Sequence, residues 1–318
     1  MANAQRGPIL KAFRDALLSR RFEERVTQLS MAGEIPATLH LGAGQEVCQA
    51  AAIAALDTED KVLYGHRGIC YMVARGTPLT AILADIAGRE GGTNRGKGGV
   101  MHVVDVPRGV LGESGTLGGG FVIAAGVGLA LKRFGRGQVV VHFFGDGTSN
   151  RGTFHESLNW AAVKKLPIIF FCENNGWAVS VPSTVSHAVP DISARAQGYG
   201  IPGVTVDGAD AFAVHEVMCE AVARARRGDG PTLIEAKVTR MFGHYIGDRQ
   251  PYRPDAAEAA TRDPLPGFKQ AILEAGILDA AAIERLEQEC AARVDEAVEV
   301  VRAAPPLDPA LALADAYA

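Results

Sequence analysis

Two short polar stretches stand out because each follows an apolar run. In "FFGDGTSNRG" (143–152) Asp146 lies between Gly145 and Gly147, straight after "QVVVHFF". In "ENNGWAVS" (173–180) the pair Asn174–Asn175 follows "PIIFFC", which puts Asn175 29 residues beyond Asp146. A carboxylate, an amide oxygen and a nearby backbone carbonyl are hard oxygen donors. That set suits Mg²⁺, which keeps phosphate oxygens among its ligands. The flanking Gly145 and Gly147 let the backbone approach a phosphate closely, and a helix starting just downstream turns its N-terminus toward an anion. A single GDG is a common turn, and a lone NN says less. Their joint occurrence, each at the end of a buried strand, is what points to a cation-and-phosphate site.

The elements around these residues must bring them together. "QVVVHFF" (138–144) and "PIIFFC" (167–172) are all-apolar, β-branched or aromatic runs, and "TFHESLNWAAVKK" (153–165) between them is helical. This is a βαβ unit with parallel strands. Its two carboxyl ends lie on one sheet edge, about 5 Å apart if the strands are neighbours, and ligands of such sheets bind beyond that edge. Elsewhere, Ile9, Phe13, Leu17, Phe22, Val26 and Leu29 predict an amphipathic helix over 9–30. Further helices are predicted over 47–56, 79–88 (capped by Thr77 and Pro78), 121–134 and 211–227, with a short strand running into a glycine turn over 61–68, a strand at 231–238 and a turn at "VTVDG". Residues 33–46 and 88–120 read as loops, the second long enough to be functional. The tail from about 266 is helical, with a break at Pro305–Pro306. The fold class is α/β, a mostly parallel sheet flanked by helices. It divides into a main domain over 1–265 and a C-terminal helical extension over 266–318.

Composition narrows the function. The 318 residues are 47% hydrophobic, enough for a sizeable core. A net charge of −4 without a dense basic cluster argues against nucleic acid or an anionic membrane as partner. No apolar run is long enough to span a bilayer, and the start does not read as a secretory signal. Cys48, Cys70, Cys172, Cys219 and Cys290 form no CxxC pair, which favours buried thiols in a reducing compartment. A cytoplasmic location is expected.

GDG, a crossover of this length and then NN resemble the thiamin diphosphate motif. Over roughly residues 10–310 the chain is similar to the alpha subunit of the decarboxylating component of 2-oxo acid dehydrogenases, a family that includes pyruvate, branched-chain 2-oxo acid and acetoin dehydrogenases. The resemblance implies thiamin diphosphate and Mg²⁺ as cofactors, with Asp146, the Asn175 side chain and the Trp177 carbonyl as metal ligands. It implies Gly147 and Arg67 (in "YGHRG") at the diphosphate, with His66 beside the cofactor. It also implies Gly115 and Leu117 (in "ESGTLGGGF") at the aminopyrimidine ring, Leu117 bending the cofactor. His40 (in "LHLGAGQE") matches a histidine near the substrate, and His244 (in "FGHYIGDRQPYR") one on a loop closing over the cofactor. An imidazole near neutral pH can serve there as acid or donor.

There are departures from the family pattern. Ile69 stands where pyruvate-type members carry histidine, which favours another or bulkier substrate. Tyr245 stands where eukaryotic members carry a phosphorylatable serine. The family's catalytic glutamate comes from a beta subunit, so the resemblance implies an α2β2 heterotetramer with shared sites and a lipoyl-bearing acyltransferase as acceptor. Two other readings stay open: a transketolase-like or carboligating thiamin enzyme, and a non-catalytic phosphate-binding or scaffolding subunit.

Overall fold

The computed structural model describes residues 3–36, 39–112 and 115–312. A long helix α1 (Asn3–Met31) leads to α2 (Glu46–Ile53) and the short strand β1 (Lys61–Leu63). Two helices, α3 (Ile69–Ala74) and α4 (Leu79–Ala87), precede β2 (Val110–Gly112) and α5 (Gly119–Phe134). Next come β3 (Val140–Gly145), α6 (Gly152–Lys164) and β4 (Ile168–Asn174). A two-stranded ribbon of β5 (Trp177–Ala178) and β6 (Val181–Pro182) and the one-turn α7 (Ser183–Ser186) follow. β7 (Gly203–Asp207), α8 (Ala211–Arg226) and β8 (Thr232–Lys237) complete the sheet. Finally α9 (Ala256–Ala259), α10 (Pro264–Glu274) and α11 (Ala280–Ala303) close the chain, α10 against α1 and α11 against α1 and α4.

The main sheet has six strands in the order β2-β1-β3-β4-β8-β7, all parallel. Both faces are covered, which is why the central strands read as unbroken apolar runs. Alternate residues go to opposite sides. Val141, Phe143, Ile169, Phe171 and Ile234 join a core with α1–α4, α8, α10 and α11. Val140, Phe144, Ile168, Phe170 and Leu233 join a second core with α5 and α6. Each fully buried phenylalanine contributes on the order of 1.5–3 kcal/mol of transfer free energy.

The short strand expected at the start of 61–68 is present as Lys61–Leu63, after which the chain leaves the sheet to reach the site. Several expectations are corrected. α3 was not foreseen: all six of its residues are buried, so it shows no amphipathic period. "VTVDG" is not a turn but most of edge strand β7, paired to β8. Thr77 does not cap α4, since its hydroxyl is buried without a partner and Pro78 is the N-cap residue. The 88–120 loop contains β2, which pairs with β1. Glu113 and Ser114 of that segment lie outside the described residues.

Candidate active site

Strand order places the site. From β1 the chain winds by α3 and α4 to β2 on one side; from β3 it crosses by α6 to β4 on the other. The helices of these two crossovers pack in different cores, so the carboxyl ends of β1 and β3 diverge into a crevice, where parallel sheets take ligands. β1 delivers His66 and Arg67, and β3 delivers Asp146. Gly145 pairs with Glu173 across β3 and β4, so Asp146 and Asn174–Asn175 leave the same edge together. A cavity of about 260 Å³ opens there. It is lined by His40, His66, Arg67, Gly115, Leu117, Gly145, Asp146, Gly147, Asn175, Trp177 and His244. Every residue expected to hold the cofactor or metal, or to meet the substrate, therefore lines one space. Met101, Thr148, Ala178 and Val179 complete the lining.

The two asparagines separate in role. Asn174 is buried: its Nδ2 donates to Glu235 Oε1 at 2.7 Å and its Oδ1 accepts from Gly176 N at 2.9 Å. It shapes the turn through Gly176, which has φ 81°. Asn175 lines the cavity, its Oδ1 accepting from Trp177 N at 3.1 Å. Asp146 is 1% exposed, and its Oδ2 is buried without a hydrogen-bond partner among the described residues. Burial raises its pKa. A buried carboxylate oxygen left without a donor is costly, and a cation is the partner that would satisfy it. Gly147 cannot be replaced at no cost, since a Cβ there would meet Ala178 Cβ at 2.5 Å.

Arg67 is buried, and among the described residues no carboxylate lies within ion-pair distance of it. Its guanidinium donates to the carbonyls of Leu41 and His244, the latter at 3.1 Å. Burial, then the charge of Arg240, lowers its pKa to about 10, so it stays charged at neutral pH. Arg240 is a site residue that the sequence reading missed. It is buried, donates to Val179 O at 3.0 Å and to Tyr252 Oη at 3.2 Å, and lies 6.0 Å from the Trp177 ring centre. Its only sequence signal was its place before "MFGHY". Val179 holds φ 57°, a strained conformation for a β-branched residue, with its carbonyl gripped by Arg240. The Arg67 guanidinium on the cavity wall, without a carboxylate partner among the described residues, favours an anion there, and the Arg240 charge behind Val179 adds to it.

The histidines form a cluster. Ring centres are 4.6 Å apart for His40–His66, 4.6 Å for His40–His244 and 5.3 Å for His66–His244. Burial lowers the pKa of all three, helped by Arg67, and that of His244 falls to about 4. All are neutral at pH 7. His40 Nδ1 donates to His244 O at 2.7 Å, leaving Nε2 with its lone pair. Both loops are tied down. The Glu23 carboxylate accepts from Gly42 N at 2.9 and 3.0 Å, Ile246 N donates to Leu39 O at 2.9 Å, and Asp248 Oδ2 accepts from His244 N at 2.8 Å. Ile69 is different: it is 3% exposed in the core and is not part of the cavity lining, so its position gives no direct contact with a substrate.

The sequence pattern described as Dehydrogenase E1 component matches residues 14–310. The chain is 42% identical to the alpha subunit of acetoin:2,6-dichlorophenolindophenol oxidoreductase of Cupriavidus necator, over 97% of this chain and 94% of that protein. It is 40% identical to the protein of that name from Bacillus subtilis, over 94% and 90%. It is 35% identical to the pyruvate dehydrogenase E1 component subunit alpha of Porphyra purpurea, over 95% and 91%. A parallel sheet with this site at its switch point, matched over nearly its whole length, defines the class: the chain belongs to the dehydrogenase E1 component family. Within it, this is an alpha-type subunit of the thiamin diphosphate-dependent 2-oxo acid dehydrogenases. Among the described residues no helix is long and apolar enough to cross a membrane.

Proposed function

We propose that this chain anchors thiamin diphosphate and Mg²⁺ in the 260 Å³ cavity and, with a beta subunit, cleaves acetoin oxidatively. Decarboxylation of a 2-oxo acid is the second reading. The observation that carries the cofactor assignment is the orphaned Asp146 Oδ2, in a cavity also lined by Asn175 and by Arg67, which has no carboxylate partner among the described residues. Asp146, Asn175 Oδ1 and the Trp177 carbonyl would hold the metal. Arg67 and the backbone at Gly145–Gly147 would hold the diphosphate, and Gly115 and Leu117 the pyrimidine side. When bound, thiamin diphosphate supplies a nucleophilic carbon and an electron sink. The chain's own work is to orient it and to exclude water. The neutral His40 and His244 offer a lone pair or an N–H to a substrate oxygen without adding charge to a cavity that already holds the Arg67 guanidinium. The two acetoin-type relatives share more identity with this chain than the pyruvate-type one does, which favours acetoin.

The partner reading rests on exposed apolar surface. α5 begins two residues after Leu117, and Val122, Ile123, Leu129 and Phe134 on it are exposed, as are Trp160 and Val163 on α6. A face of this kind marks an interface. A beta subunit seated there, in an α2β2 assembly, would bring its glutamate to the cavity, with a lipoyl-bearing acyltransferase as the acceptor. The test is co-purification with the beta chain and assay of dichlorophenolindophenol reduction with acetoin, pyruvate and branched-chain 2-oxo acids. Acetoin-dependent reduction that needs both chains is expected. Turnover by the isolated chain would overturn the shared site, and reduction by a 2-oxo acid alone would promote the second reading.

A further inference from the structure

Behind the cavity wall runs a chain of side-chain amides ending on a buried acid. Asn175 has a donor end and an acceptor end, and only its oxygen can ligate a cation. Asn175 Nδ2 donates to Gln45 Oε1 at 3.0 Å, and Gln45 Nε2 donates to Glu173 Oε1 at 3.1 Å. Glu173 is 5% exposed, and its oxygens accept from three donors: Gln45, Gln49 Nε2 at 2.7 Å, and the Tyr71 hydroxyl. Burial raises the Glu173 pKa to about 7, and in its ionised form the carboxylate acts only as acceptor toward these donors. The NH₂ end of Gln45 must therefore face it, and the Gln45 oxygen is turned to Asn175. That oxygen receives only the NH₂ end of Asn175. The Asn175 oxygen is left on the other side, where it also accepts from Trp177 N at 3.1 Å.

Resting on the reading of this cavity as a magnesium–diphosphate site, we propose that Glu173 is a positioning residue that acts through Gln45 to turn the Asn175 amide oxygen toward the cation. The same acid steadies the opposite wall, because Gln49 Nε2, held by Glu173, also donates to the carbonyl of Arg67 at 3.2 Å. One buried carboxylate thus sets both the metal side and the anion side of the crevice.

The test uses the assembled alpha–beta complex, titrated calorimetrically with thiamin diphosphate at varied Mg²⁺ and again in EDTA. Glu173→Gln replaces the one-way acceptor by a group that can face either way. Gln45→Met keeps the carboxylate and cuts the relay. Each should weaken the Mg²⁺ requirement site by on the order of 10- to 100-fold, the range for partners behind a metal's direct ligands. Because the two act in one line, the double variant should lose no more than the weaker-binding single variant. Binding in EDTA should be unchanged for Gln45→Met, which leaves the Glu173–Gln49 contact in place, and thermal unfolding of the apo complex reports any loss of fold separately. If Gln45→Met binds Mg²⁺ as the native protein does, Glu173 acts only by its charge and the relay is refuted. Losses that add, or that are equal with and without Mg²⁺, refute it as well. If the native complex itself shows no Mg²⁺-dependent binding, the cofactor reading fails first. Should Gln45→Met not fold, the isosteric Glu173→Gln carries the same comparison.

Discussion

Asp146→Asn separates the stability of the site from its function. The native carboxylate is buried, one of its oxygens has no donor among the described residues, and burial disfavours its charge. An orphaned buried acceptor costs about 1–3 kcal/mol, more when charged. Asparagine has nearly the same shape and removes the charged part of that cost, so no cavity opens. Without cofactor the variant should be more stable than the native chain by about 1 kcal/mol, which is about 2 °C in melting temperature for a chain of this size. With thiamin diphosphate and Mg²⁺ at about 100 times their dissociation constant, the native complex should gain about 2.7 kcal/mol. The variant should gain almost none. The order of melting temperatures should therefore cross: native apo lowest, variant unchanged by ligand, native holo highest. Differential scanning calorimetry of both proteins in four conditions measures this. A variant that is less stable without cofactor and still stabilised by it would show that Asp146 is satisfied by the protein alone, and the metal assignment would fall.

Three other outcomes are expected. Arg67→Lys keeps the charge but cannot reach both the Leu41 and His244 carbonyls; losing one charged hydrogen bond costs about 1.5–3 kcal/mol, so diphosphate affinity should fall at least about tenfold and limited proteolysis at 242–250 should quicken. Gly147→Ala places a Cβ 2.5 Å from Ala178 Cβ, so β5 and the Trp177 carbonyl must shift; fluorescence titration should show weakened Mg²⁺-dependent binding, and native affinity would contradict the close fit. His142 is held near a pKa of about 3 by burial, against 6.5 in the unfolded chain. The native state then binds fewer protons than the unfolded one, so stability is full above pH 6.5 and is lost as pH falls toward 3. The free energy of urea unfolding of His142→Leu between pH 6 and pH 4 should fall less steeply, by about 1.4 kcal/mol per pH unit, and a slope equal to the native one would refute the assignment.

The arrangement at the end of β3 and β4 was readable from spacing alone. Two apolar strands, one crossover helix and a period of 2 leave little choice about which edge Asp146 and Asn175 occupy. His40, His66, Arg67, Gly115, Leu117 and His244 came from family resemblance, and the structure draws them to the same cavity. Elements without a period of their own escaped: α3 is buried on every side, and β7 is an edge strand whose short alternation looked like a turn.

By itself, then, the sequence determined the parallel sheet, its two-sided core and the chemistry of the oxygen donors, because these follow from local periodicity and residue type. Only the tertiary structure decided that Ile69 lies in the core, that the buried Arg240 holds Val179 of the cavity wall from behind, and that Glu173 stands behind Asn175 through Gln45. Those relations join residues 130 positions apart in the case of Gln45 and Asn175. No local pattern encodes them; they exist only once β1, β3 and β4 bring distant loops to one edge and the buried donors and acceptors between them must be paired.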